Sequence, residues 1–263
     1  MNANIRLVGR LFFFRPNSNC LSVFLCCTLL FPVVGAAASS ATRQKLMVSN
    51  PDSRAALAAQ GGELLADYGG SQLWIAPSSV AASLSVQNGV TLQPEEENVL
   101  ELHAGYIDTS RLTQSAVASA ENFSGKRLHL VQFVGPIKPD WHAELLAQGF
   151  RVVCYVPHNA YLVYGDTKAL TGFRAKSVGA THVQWEGPYL AEHKIHPRAQ
   201  ATIQKAAQNL EVDDLFEVQL VEDGESNAAS LQFLEQVRRE VIKESAFLGY
   251  VNVVLRLPPE RLL

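Results

Sequence analysis

Few side chains in this sequence could do covalent or metal chemistry, and their spacing fits that chemistry poorly. Gly69-Gly70-Ser71 resembles the start of a Gly-x-Ser-x-Gly nucleophile turn and lacks the final glycine. Asp108-Thr109-Ser110 is a near miss for Asp-Thr-Gly and reads as the start of a loop. A Ser-His-Asp triad draws its members from distant positions, and no local motif marks one here. Glu192, His193 and His196 bring two imidazoles and a carboxylate close together, but Pro197 follows at once and no third ligand is in view, so a solvated linker is expected. His129 and His182 alternate with apolar residues on strands and are expected to be satisfied or surface histidines; His158 reads as a turn residue. Cys154, inside an apolar run, is expected to be an inert buried thiol, and no Cys-x-x-Cys exists for zinc or redox work. The Gly-Gly pairs follow a helix or separate strands, whereas a phosphate cradle needs glycine between strand and helix. The expectation is a chain with no catalytic, cofactor-binding or metal-binding residues, and so no enzyme.

Composition narrows the partners. With 263 residues, 48% of them apolar, and a formal charge of −3, the chain has room for two or three small domains and carries no polyanion signal. Nucleic acid is not expected. Trp74, Tyr161 and Tyr164 could be exposed on strands, but no basic pattern accompanies them, so core packing or protein contact is favoured. Arg6, Arg10 and Arg15 precede an apolar run from Cys20 to Val34, no acidic residue comes before Asp52, and small residues follow at Gly35 to Ser39. That is the layout of a signal peptide over residues 1–38, with Ala36 or Ala38 last before cleavage. The run is short for a span of about 20 residues, and Pro32 interrupts it. A secreted, periplasmic or cell-envelope protein with no stable membrane span after cleavage is expected. Cleavage would remove Cys20, Cys26 and Cys27, leaving Cys154 without a disulfide partner. Asn122-Phe123-Ser124 is a sequon only where the host glycosylates.

The elements that must position these residues recur. Lys45 to Val48 reads as a strand, and Pro51-Asp52 opens a helix through Ala59 that Gly61-Gly62 ends. Strands Leu64 to Tyr68 and Gln72 to Ile75 come next. Ser78 is expected to cap a helix over Val80 to Val86, and Asn88-Gly89 turns into Val90-Thr91-Leu92. The order returns with strand Leu128 to Phe133, a helix from Pro139-Asp140, strands either side of Pro157-His158-Asn159, a helix over Lys168 to Phe173, and strand Thr181 to Trp185. A third copy starts at Leu215. There Asn227 is expected to cap a helix with Leu231, Leu234, Val237 and Val241 on one face, with paired strands around Tyr250 after it. Pro258 to Leu263 reads as the first turn of its second helix. Tyr68, Tyr155 and Tyr250 mark the copies at intervals of roughly 90 residues, too long for a solenoid.

The βαββαβ order predicts an α+β fold of tandem ferredoxin-like units, each an antiparallel sheet with helices on one face. The units are expected at 45–102, 127–190 and 214–263, the third truncated, with linkers at 103–126 and 191–213, the latter partly helical. The helix-free sheet faces are expected to be left to solvent or a partner, and Glu95-Glu96-Glu97 to form a solvated edge. The third copy is expected to be the least stable.

Leu130-Val131-Gln132-Phe133-Val134-Gly135-Pro136-Ile137-Lys138-Pro139-Asp140-Trp141 resembles the N-terminal pro-region of secreted bacterial subtilisin-like serine proteases. Tyr155-Val156-Pro157-His158-Asn159-Ala160-Tyr161-Leu162-Val163 does so too. Phe216 to Asp223 and Gly249 to Val254 look similar to the next stretch of chain in larger members of that family. The resemblance implies ferredoxin-like prodomains that assist folding of a protease domain and inhibit it, laying the sheet against it and threading a tail through its cleft. The protease domain, with its Asp, His and Ser motifs, is absent from this sequence, and so is the tail. A non-catalytic prodomain-like fragment is therefore expected, its partner a subtilisin-like protease domain in cis or in trans. The alternatives are a stand-alone secreted inhibitor or chaperone, and a structural or adhesive repeat protein.

Overall fold

β1 (Arg43–Val48) alternates in the way a half-buried strand must, with Leu46 and Val48 fully buried. The computed structural model describes residues 42–112, 123–208 and 214–258. All of them belong to one compact unit, residues 41–263. The leader through Ala38, Asn122 of the sequon and the helix start expected after Pro258 lie outside the described residues.

α1 (Pro51–Ala59) begins where its sequence signals place it. The Asn50 side chain accepts from the Asp52 amide at 2.9 Å, and Pro51 occupies the first turn, where no amide donor is needed. β2 (Glu63–Asp67) and β3 (Gln72–Pro77) form a hairpin, α2 (Ser78–Leu84) comes next, and β4 (Val90–Leu92) closes an antiparallel sheet ordered β2-β3-β1-β4. Ser78 is not the cap. Pro77 holds that position, Ser78 is the first helical residue, and its hydroxyl donates to the Thr42 carbonyl at 2.6 Å. Both helices cover one face, where Leu57, Ala81 and Leu84 pack on Leu46, Val48 and Trp74. Trp74, considered as an exposed aromatic, is in this core.

A further piece of structure straddles the boundary expected between the first unit (45–102) and the linker (103–126), and only its second strand falls within the linker. A 3-10 turn (Glu95–Asn98) leads into a hairpin of β5 (Val99–Leu102) and β6 (Gly105–Asp108). The second large sheet repeats the first. It comprises β7 (Lys126–Phe133), α3 (Pro139–Ala147), β8 (Arg151–Val156), β9 (Ala160–Asp166), α4 (Thr167–Ser177) and β10 (Val183–Pro188), with strand order β10-β7-β9-β8. His158 and Asn159 both have positive φ (67° and 63°), the left-handed pair that a tight hairpin turn requires.

Each helix-free face of these two sheets receives another part of the chain. Leu73 and Ala66 of the first unit share one buried cluster with Val134, Phe133 and Trp141 of the second. Close approach here depends on Gly135, where an added Cβ would lie 2.6 Å from the Leu73 side chain and 3.0 Å from the Tyr68 hydroxyl. On the second sheet, Leu100 and Ile107 of the hairpin pack in one cluster with Leu130, Val156 and Leu162. The cause is hydrophobic: strands apolar on both faces expose surface that is worth about 25 cal/mol per Å² to bury.

A helical connector, with a 3-10 turn (Ala191–Lys194) and α5 (Pro197–Ala207), precedes the third sheet. Among the described residues that sheet has three strands, β11 (Leu215–Val221), β12 (Glu240–Phe247) and β13 (Tyr250–Arg256), ordered β11-β13-β12, with α6 (Gly224–Val237) between β11 and β12 in sequence. Asp223 caps α6 by accepting from the Ser226 amide at 3.1 Å. Asn227, expected in that role, is buried one turn in, where its amide donates to the Val221 carbonyl at 2.9 Å. Val241 lies in β12 and not on the helix. Leu231, Leu234 and Val237 are only half-buried, so α6 packs loosely compared with α3 and its buried Trp141 and Leu145. Amide hydrogen exchange is therefore expected to be at least tenfold faster in α6 and β12 than in β7 and β9. Equal protection would show the third unit to be as stable as the second.

Candidate functional site

Two places concentrate polar chemistry. The first is a buried seam where β1 meets the second sheet. Lys45 Nζ donates to the Val134 carbonyl at 2.6 Å and to Gln184 Oε1. Gln184 Nε2 donates to Asn98 Oδ1 (3.0 Å) and Gln132 Oε1 (3.1 Å). Gln132, fully buried, donates in turn to the carbonyls of Glu97 (2.8 Å) and His158 (3.0 Å) and accepts from Thr109 Oγ1 (2.7 Å). His158 Nδ1 meets the Val99 carbonyl. The seam thus ties β1, the hairpin, β7 and β10 together.

Glu97 is part of this seam, contrary to the solvated edge expected of the acidic run. Burial raises its carboxyl above the ordinary range, while Lys45 and His158 pull the other way. Its Oε2 is buried without a hydrogen-bond partner. Burial lowers Lys45 from 10.5 to about 8, and Glu97 only partly offsets it. Burial, then Glu97, lifts the Tyr68 hydroxyl to about 12, and that hydroxyl donates to the Pro136 carbonyl at 3.0 Å. A lysine near 8 is partly an amine at neutral pH, but two acceptors hold this one inside the seam, so the geometry is that of a clamp.

The lowered Lys45 value has a signed consequence. Between about 8 and 10.5 the unfolded chain binds the proton and the folded chain does not, so stability rises with pH across that window. Glu97 acts oppositely: its raised carboxyl makes stability fall as pH climbs above about 4.3, the unfolded value. Urea midpoints taken from pH 8 to 10.5 are expected to rise by the equivalent of up to about 3 kcal/mol, and Lys45→Met to flatten the rise. An unchanged slope in that variant would assign the titration elsewhere.

The second place is a cleft of about 910 Å³. Val153 and Leu162 of the second sheet, His196 and Arg198 of the connector, and Glu217 and Tyr250 of the third sheet are among its walls. Tyr250 donates to the Val153 carbonyl at 3.1 Å, and Arg151 Nη2 donates to the Gly249 carbonyl at 2.8 Å. Lys126 pairs with Asp223 at 2.7 Å, a bond that helps to hold the aspartate down at about 2. The cleft offers cations, one carboxylate and apolar floor, a surface suited to polypeptide more than to bond-making.

The residues singled out for chemistry are dispersed. His193 Nδ1 accepts from the Leu190 amide and His196 Nδ1 from the Arg198 amide, both at 3.2 Å, so each ring serves a local turn. Among the described residues no group of three His, Cys, Asp or Glu side chains could hold a metal ion. His129 is buried against Glu186, whose other oxygen accepts from Arg174 Nε at 2.8 Å. Burial raises the Glu186 carboxyl, but His129 and Arg174 outweigh it, and the net shift is downward. His182 bonds Glu144 at 3.1 Å and stacks on Trp141 at 5.3 Å. Asp108 accepts from the Ser110 amide at 3.1 Å in a turn. Cys154 is exposed, not buried, because edge strand β8 shifts register between Val152 and Cys154; neighbouring side chains still desolvate the thiol and push it up. Sequence reasoning missed the seam, although Gln132 and Gln184, polar residues within apolar strands, were its signal. Among the described residues no helix is long and apolar enough to cross a membrane.

Fold and sites together define a chain of α+β units with antiparallel sheets, joined by buried polar contacts. A family model described as a domain of unknown function (DUF8729) matches residues 86–190. The matched stretch takes in the hairpin together with the second unit, the two pieces that share a core. No curated protein and no solved structure matches the chain.

Proposed function

We propose that this chain is a non-catalytic binding module, prodomain-like, whose partner is an exported subtilisin-like serine protease domain. Its units are read as ferredoxin-like, and the N-terminal leader as the signal that carries it to the envelope or beyond. The observation that carries the proposal is the uneven cover of the sheets. Other parts of the chain pack on the helix-free faces of the first two, whereas among the described residues the third has one loosely packed helix and a cleft that it shares with the second. Partner contact is therefore assigned to the third unit and not to the second, although the second carries the clearest resemblance. Residues 41–263 are expected to slow a subtilisin at about micromolar concentration. Phe247→Ala, at a 70% exposed site on the third unit, is expected to weaken the effect. No inhibition across several subtilases would overturn the proposal.

A second reading, a structural repeat protein, is favoured by the same self-covered faces. It predicts unaffected proteases and binding to a surface partner.

A further inference from the structure

A histidine whose Nδ1 accepts a hydrogen bond from a backbone amide is the neutral ring with its proton on Nε2. Protonation puts an N–H on the nitrogen to which the amide already points. The bond is lost, and two donors then face each other. Two histidines of the connector are held in this way. His193 Nδ1 accepts from the Leu190 amide and closes the 3-10 turn, and His196 Nδ1 accepts from the Arg198 amide and caps α5. A third, His103, lies between β5 and β6, and its ring stands 5.9 Å from that of His196. The histidines of the second sheet differ. His129 and His182 bond the carboxylates of Glu186 and Glu144, and His158 Nδ1 meets a carbonyl, so a protonated ring keeps those bonds.

Little apolar burial fixes the connector. Its 3-10 turn has no buried residue, and in α5 it is Ala206, near the far end, that is buried. Tyr189 donates to the His193 carbonyl at 2.6 Å and sets its ring 5.6 Å from the imidazole. The surrounding charges resist more positive charge at His196. Lys194 and Arg198 share the cleft wall with it, His103 meets it from the hairpin, and Glu217 is the carboxylate among the cleft walls. Burial holds His193 below its ordinary range, and the neighbouring Glu192 only partly offsets this. The unfolded chain therefore takes that proton first. The stability His193 contributes is complete above about 6.5, the unfolded value, and is lost as pH falls.

We propose that the connector is a pH-gated latch, held in place by neutral His193 and His196 and released when both take up protons between about pH 7 and about pH 5. Release removes the amide bond from each turn and sets the charged rings of His103 and His196 against each other. The connector forms one wall of the 910 Å³ cleft, so its release opens access to Leu128, Val153 and Leu162 on the floor. The second sheet, whose histidines face acceptors, stays in place. This inference does not rest on the protease reading, and its readout needs no partner.

Hydrogen exchange of the full chain at about pH 7.5 and about pH 5.5 tests the latch. Rates are compared as protection factors, so that the intrinsic pH dependence of exchange drops out. Protection over residues 190–207 is expected to fall about tenfold at the lower pH, while that of β7 and β9 holds within about twofold. In the double variant His193→Gln, His196→Asn both new side chains can accept from the same amides and neither titrates. Its connector is expected to keep its protection at both pH values. Imidazole proton NMR of the unaltered chain is an independent check, and the titration of His193 or His196 is expected to share its midpoint with the loss of protection. Constant protection in the unaltered chain, an equal fall in the double variant, or a midpoint belonging to neither ring overturns the proposal. So does a fall shared by β7 and β9.

Discussion

Phe133→Ala is expected to lower the melting temperature by about 10 °C, a loss of about 4 kcal/mol. Phe133 is 1% exposed at the centre of the largest cluster. It lies parallel to Trp141 at 5.5 Å and to His182 at 6.2 Å, and meets Tyr161 edge-on at 6.4 Å. Removing the ring costs its transfer free energy and leaves a cavity that a sheet pinned on both faces cannot close. The cluster includes Leu73 and Ala66 of the first unit, so calorimetry is expected to show the first two units weakened together in one transition. Phe247→Ala, at the exposed end of β12, is the control and is expected to change stability by no more than about 0.5 kcal/mol. Equal losses for the two would mean that the shared cluster does not hold the first two units together.

Gln132→Leu is expected to cost about 3 kcal/mol, although it replaces a polar residue in a core by an apolar one of similar size. The glutamine satisfies two carbonyls, one hydroxyl and one amide, all interior to the seam. Leucine takes the donor from the two carbonyls, at about 1–3 kcal/mol for each that cannot relax, while Thr109 Oγ1 and Gln184 Nε2 each keep a bond to Asn98. Two of the bonds hold the segment bearing the hairpin, through the Glu97 carbonyl and Thr109 Oγ1. Hydrogen exchange in Val99 to Asp108 is therefore expected to accelerate more than in α3. Thr109→Val combined with Gln132→Leu is expected to cost less than the sum of the two, since both break one bond. Strict additivity would mean that the two side chains act independently.

Local signals set the local structure. Asn50, Pro51 and Gly61 place α1 to the residue, and His158-Asn159 places a tight turn, because each signal acts within a few positions. Caps were legible as a type and less so as a residue. Asp223 and Asn227 are both good caps, and the choice fell to Asp223 because the Asn227 amide has a carbonyl to bond at the end of β11. The hairpin at 99–108 was hidden because its strands are four residues each and its worth lies in covering Leu130 and Val156. The seam was hidden more deeply. Gln132 is a polar letter among the apolar residues that end β7, and its partners come from 23 to 52 positions away, a distance no window of propensity spans. The same limit applied to the acidic run, where Glu97 differs from Glu95 only in the environment that β1 and His158 bring to it.

The hairpin lying over the second sheet also behaves as a tethered competitor. Any ligand for the Leu130 and Val156 patch must wait until Leu100 and Ile107 lift away, so its apparent affinity is its intrinsic one multiplied by the open fraction. A hairpin open about one time in a thousand would make a micromolar ligand look about millimolar. Screening the intact chain would then overlook that ligand, whereas loosening the latch at Gln132 would reveal it.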